Sequence, residues 1–224
     1  MDGKFAHPES SAALAANALG LFLDDAEPVL EALGLPVSQP ASLRLEQCLR
    51  FPWRGGLHPW LDAVIETPDL LVGIESKRYE PFRGAKPGLF SDSYFRPVWG
   101  DGLDRFQAQR DAIAAGIGRF ERFDAAQLVK HAFGIATQAR RRGKRAVLVY
   151  LHAEPCAWPG ERPIAADRIA LHRAERDRFA SSVEGDLVTF LAVDYVSLLS
   201  RFKAMDDGAI RVHAQAVEER FSPL

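Results

Sequence analysis

The stretch Trp60 to Lys77, WLDAVIETPDLLVGIESK, constrains this chain more than any other. Two apolar runs flank Thr67-Pro68-Asp69, residue types that favour a turn, so the segment reads as a β-hairpin. With the hairpin centred between Pro68 and Asp69, Thr67 pairs with Leu70, and paired residue numbers sum to 137. Asp62 then stands directly opposite Glu75, with Cβ atoms about 5 Å apart. Alternation puts Lys77 and Gly73 on the same face as Glu75, with Gly73 leaving space beside the acids. The other face carries Leu61, Ala63, Ile65, Leu70, Val72 and Ile74, and can pack on a helix layer.

Like charges directly opposed on a sheet are destabilising, so two such carboxylates need a reason. A divalent cation supplies one, because Mg²⁺ takes one or two carboxylates together with waters and substrate phosphate oxygens. Bound metal can activate a water, and the Lys77 ammonium can orient that water or stabilise charge on the phosphorus oxygens. An acid on one strand and acid-x-Lys on the next is a minimal kit for cutting a phosphodiester.

The remaining chain reads as one α/β domain over residues 1–224, with N-terminal helices in 10–34 and a core over about 40–202. Leu43 to Phe51 alternates apolar with polar, as a half-buried strand does. Glu80 to Gly102 is a long loop rich in Gly, Pro and aromatics. Helices are expected over 103–120, 125–142 and 164–182, with buried strands at 145–151 and 187–193, and a closing helix beginning at Val196. The apolar stretch from Ala12 to Leu23 is too short to span a bilayer. Cys48 and Cys156 are too few for a disulfide framework, which makes a reduced, cytoplasmic protein the expectation.

The hairpin and its setting resemble the PD-(D/E)XK nuclease superfamily, the restriction-endonuclease-like fold. Asp62 matches the acid of its second core strand, and Glu75 and Lys77 match the acid and lysine of its third. The likeness extends to a first strand at Leu43 to Phe51, whose Glu46 would assist the metal. It also extends to a later helix, whose Gln127 and Lys130 would reach the site. It covers roughly residues 40–155. It implies a three-layer core with a mixed central sheet of about five strands flanked by helices. It further implies Mg²⁺ or Mn²⁺ held by Asp62 and Glu75, a nucleic acid substrate with DNA expected first, and an assembly as a homodimer open. The alternative within the same fold is a catalytically inactive module that binds nucleic acid or a protein partner. The Pro68-Asp69 dipeptide copies the motif's name but sits in the turn, and Glu66 lies near the hairpin tip, so Asp62 is the better acid.

Plainer readings stand beside these. With six lysines and 30 acids in 224 residues, about one acid-x-Lys match arises by chance, and Asp2-Gly3-Lys4 is another. Asp62, Glu75 and Lys77 can be a surface salt-bridge ladder in an unrelated α/β domain. Lys130, Arg140, Arg141, Arg142 and Lys144 lie in a stretch without acids, which suits phosphate contacts; the last of them also suit a helix C-terminus. Trp53, Arg54, Tyr79, Phe82, Tyr94, Phe95 and Trp99 can stack on bases or fill gaps. His131 reads as a packed or surface residue, and His152-Ala153-Glu154 as a strand-end pair. A net charge of −2 excludes binding by bulk charge but not a local patch. There is no nucleophile elbow, phosphate-binding P-loop or complete dinucleotide fingerprint.

Overall fold

The computed structural model describes residues 9–53, 55, 57–84 and 89–224. The Asp2-Gly3-Lys4 match and Arg54 lie outside the described residues. Five strands, β1 (Ser42–Cys48), β2 (Trp60–Glu66), β3 (Leu70–Lys77), β4 (Arg145–His152) and β5 (Val188–Asp194), form one sheet in sequence order. β1, β2 and β3 are antiparallel neighbours, while β3, β4 and β5 run parallel. The sheet is therefore mixed, as expected.

Helices cover both faces and make a three-layer α/β core. On one side lie α1 (Ser11–Leu19), α2 (Glu27–Ala32), α6 (Tyr195–Ala204) and α7 (Gly208–Phe221). On the other lie α3 (Asp104–Ala114), α4 (Ala125–Arg142) and α5 (Ala166–Val183). Local chemistry explains the sharpest boundaries. The Asp124 carboxylate accepts the Gln127 N–H at 2.9 Å to cap α4, and Gly143, at φ +65°, ends it in the left-handed conformation. The expected helix over 103–120 stops at Ala114. α7 lies beyond the expected core and buries Ile210, Ala214, Val217 and Phe221 along one stripe. No helix among the described residues is long and apolar enough to cross a membrane.

The hairpin has the expected register: Ala63 with Ile74, Val64 with Gly73, Ile65 with Val72 and Glu66 with Leu71. The Thr67 hydroxyl accepts the Leu70 N–H at 2.9 Å and closes the turn.

The face assignment needs two corrections. Ala63, Ile65, Leu70, Val72 and Ile74 pack toward α1, α2, α6 and α7, but Leu61 joins the opposite core with Val64 and Leu71. Likewise Leu43 and Leu45 face one core, while Leu49 and Phe51 face the other. The β1–β2 register runs from Leu45–Ala63 to Gln47–Leu61 with an irregular step at Glu46 and Asp62, where Glu46 has φ +49°. A non-glycine residue in that region breaks the two-residue alternation. The space expected beside Gly73 is also filled. A Cβ built there would lie 2.3 Å from Leu61 Cδ1 and 2.7 Å from Ile135 Cδ1.

Candidate functional site

Glu75 and Lys77 project from the end of β3 toward α4. Between them, Ser76 points the other way, its hydroxyl bonded to the Ser11 carbonyl at 3.1 Å and to the Tyr195 hydroxyl at 2.7 Å. Those bonds hold the strand end on the α1 and α6 side and fix where its neighbours point. The Ser76 N–H donates to Asp62 Oδ2 at 2.7 Å, so the Asp62 side chain takes a backbone donor just past the last paired residues.

Glu75 is only 4% exposed and gathers two side-chain donors and a close imidazole. Lys77 Nζ and Gln127 Nε2, the latter at 2.7 Å, both donate to Oε1. His131 Nε2 lies 3.0 Å from Oε2. Burial alone would raise the Glu75 carboxyl, but Lys77 and His131 overcome it and bring it down to about 2. Burial pulls Lys77 down, and Glu75 outweighs that and raises it. Both groups are therefore charged at neutral pH.

Asp62 behaves oppositely. Burial and the nearby Glu75 charge push it up to about 6, against the Ser76 N–H and Lys77, with Glu46 adding a little more. Its carboxyl titrates somewhat below neutral pH, first because it is buried and second because the Glu75 charge is near. Glu80, just past β3, also acts on Lys77. Glu75, Glu80 and Asp62 thus act on one ammonium. A hard divalent cation needs only one or two carboxylates besides water, which Asp62 and Glu75 would supply. Among the described residues no group of three or more His, Cys, Asp and Glu is placed to hold a metal ion, so a cation here would have two carboxylates at most and otherwise water or substrate oxygens.

The structure brings Glu75, Lys77 and Gln127 into direct contact, with Asp62 in electrostatic reach of Glu75 and Lys77, and Glu46 acting weakly on Asp62. It does not bring Lys130 to them: its Nζ lies 5.3 Å from the Phe90 ring centroid and 5.6 Å from that of Tyr94. The residue that joins Gln127 is His131, four positions on. A step of four turns the helix by about 40°, whereas a step of three turns it about 60° the other way. That spacing was the available signal for His131.

Arg140, Arg141, Arg142 and Lys144 sit at the other end of α4, about 21 Å from Gln127 at 1.5 Å per residue. There they tie the chain to itself. Arg140 donates to the Trp99 and Asp101 carbonyls at 2.6 and 3.1 Å, and Arg141 to the Phe51 carbonyl at 3.3 Å. Arg142 and Lys144 pair with Glu66 at 2.9 and 3.0 Å. Of the aromatics, Tyr79, Phe82 and Trp99 are buried, and Trp53, Tyr94 and Trp99 pack around Phe51. Phe95 stays 44% exposed, with the Arg110 guanidinium 4.9 Å from its ring centroid.

Two neighbours of the site complete it. His152, paired with Lys77 across β3 and β4, lies 3.6 Å from Glu154, which Arg173 also holds at 2.6 Å. Arg78, next after Lys77, is buried. Its guanidinium donates to the Phe221 carbonyl at the end of α7 and lies 4.9 Å from the Tyr79 ring centroid. No family model, curated protein or solved structure matches this chain, so its site stands on its own geometry.

Proposed function

We propose that the chain is a metal-dependent nuclease of restriction-endonuclease-like architecture, with DNA as the first substrate to test and the cytoplasm as its compartment. The observation that carries this is the meeting of Asp62, Glu75 and Lys77 at one strand end, with Gln127 beside them. Asp62 and Glu75 would hold the ion. Bound there, Mg²⁺ or Mn²⁺ would acidify a water and offset charge on the scissile phosphate.

The chain's own groups do the positioning. Gln127 Nε2 fixes the Glu75 carboxylate in one orientation. Lys77 Nζ, held charged by Glu75, can donate toward a phosphate oxygen or the attacking water. Without a cation, Asp62 takes up a proton as pH falls through about 6, and nearby positive charge opposes that uptake. Cys48 and Cys156 are both free, in keeping with a reducing compartment.

A second reading keeps the fold but not the cutting. Both Glu75 oxygens already face donors, so the site can be a closed ion-pair cluster in a module that binds nucleic acid or a protein. Incubating the full chain with Mn²⁺ and plasmid, single-stranded DNA or RNA separates the two. Cleavage is expected, and Lys77→Ala should lower its rate by roughly 10²–10³. Salt-dependent binding with no cleavage of any substrate would favour the second reading.

A further inference from the structure

Beside the site stands a wall that the chemistry above does not use. Residues 120–124 connect α3 to α4, and Glu175 of α5, 5% exposed, shapes them. Its carboxylate accepts the N–H groups of Glu121, Arg122 and Phe123 at 2.7, 2.7 and 3.0 Å. Three charge-assisted bonds to consecutive amides hold a loop in one shape. Phe120 packs on Phe123 and Phe179, with ring centroids 6.0 and 6.2 Å away, and Arg178 lies 4.3 Å from its ring centroid.

Between wall and site is a cavity of about 150 Å³. Lys77 and Gln127 line it on the side of the site, Phe120, Phe123, Arg122 and Tyr150 also line it, and Glu80, Glu121 and Asp124 stand among them, so the cations there are balanced by acids. The Tyr150 ring is oriented by its hydroxyl, bonded to His172 Nε2 at 2.9 Å, and meets Phe123 edge-on at 4.9 Å. Arg122 donates through Nη1 to the Arg83 carbonyl at 2.5 Å, while its Nε is buried with no partner among the described residues.

Size and lining decide the class of ligand. The volume is several times what a water requires and below the roughly 300–1,000 Å³ of a drug-sized pocket, which suits one planar ring system. Phe120 is the ring left partly open, Phe123 and Tyr150 being 2% exposed, and an open aromatic face beside a guanidinium binds bases of any sequence. Lys77, on the side of the site, has the charge to meet the attached phosphate.

We infer that this cavity seats one unpaired nucleobase of the strand whose phosphate reaches Lys77, an inference that rests on the nuclease reading for the phosphate. The substrate then enters as a single strand, a frayed end or an extruded nucleotide. The full chain without metal is titrated with a 5′-phosphorylated deoxyadenosine dinucleotide and, separately, with deoxyribose 5-phosphate, following amide NMR shifts. The dinucleotide should move the signals of residues 121–124 and the sugar phosphate should not. Phe120→Ala should weaken dinucleotide binding roughly tenfold, and Phe120→Tyr, which keeps the ring, should retain it. With Mn²⁺, a single strand should be cut roughly tenfold faster than the same sequence in duplex, a preference that Phe120→Ala reduces. Equal responses to both probes, or unchanged binding in Phe120→Ala, overturns the base pocket whether or not the chain cuts. Base-dependent binding by a protein that cuts nothing supports the pocket and defeats the nuclease reading.

Discussion

α4 carries polar groups at both ends, and the two ends use them in opposite ways. Near its start, Gln127 and His131 converge with Lys77 on a carboxylate that water hardly reaches. Near its finish, Arg140 and Arg141 are spent on backbone carbonyls, and Arg142 on the more exposed Glu66. The end with more charge in the sequence is therefore the less reactive one. Burial makes an ion pair costly to break, while solvent makes one nearly neutral.

The sharpest test of this contrast is paired truncation of the two acids. Glu75→Ala leaves the Lys77 ammonium buried without its acceptor and should cost about 3–5 kcal/mol in urea unfolding. Glu66→Ala, which frees partly exposed Arg142 and Lys144, should cost less than about 1 kcal/mol. Equal losses would erase the difference between the ends.

Next in size is the pH response of the metal-free protein. Glu75 is lowered from 4.5 to about 2, so its stabilising share is complete above about pH 4.5 and is lost as pH falls toward 2. Asp62 is raised from 3.8 to about 6, so its share is complete below about pH 4 and is lost as pH rises through 6. Their joint contribution should peak near about pH 4, and the decline from there to about pH 6 is worth up to about 3 kcal/mol. Asp62→Asn should flatten that decline, and Mg²⁺ at neutral pH should recover part of it. A stability profile that is flat from about pH 4 to 6 in the unmodified chain would contradict the raised Asp62.

Smaller effects probe the other end of α4. If Arg142 is consumed by Glu66, Arg142→Ala should leave the salt dependence of oligonucleotide binding unchanged. A slope shallower by about one would place a phosphate contact there and break the contrast. Smallest of all, Glu46→Gly should stabilise the fold by up to about 1 kcal/mol, because glycine adopts φ +49° freely. A loss of stability instead would mean that the Glu46 side chain outweighs its strain.

Local patterns foretold the hairpin well. Its register follows from a turn centred on Pro68 and Asp69, and a side-chain bond from Thr67 closes it. The limits of α4 follow from Asp124 and Gly143, each acting within a few residues. What stayed hidden depends on three dimensions. The facing of Leu61 reverses at the irregular step opposite Glu46, whose φ of +49° residue types do not announce. The part played by His131 emerges only once α4 is laid across β3. The arginine run reads as a binding patch until the carbonyls of Phe51, Trp99 and Asp101 are found beside it.

The bond between Arg78 and Phe221 joins positions 143 residues apart. Chains emerge at roughly 5–20 residues per second, so that carbonyl appears roughly 7–30 s after Arg78 does. Until then this contact cannot form, and the strand end that bears Glu75 and Lys77 is held on this side by the bonds of Ser76 to Ser11 and Tyr195. The candidate site thus has a timetable: it reaches its final shape only once Phe221 has been made, after the strands of the sheet that carries it.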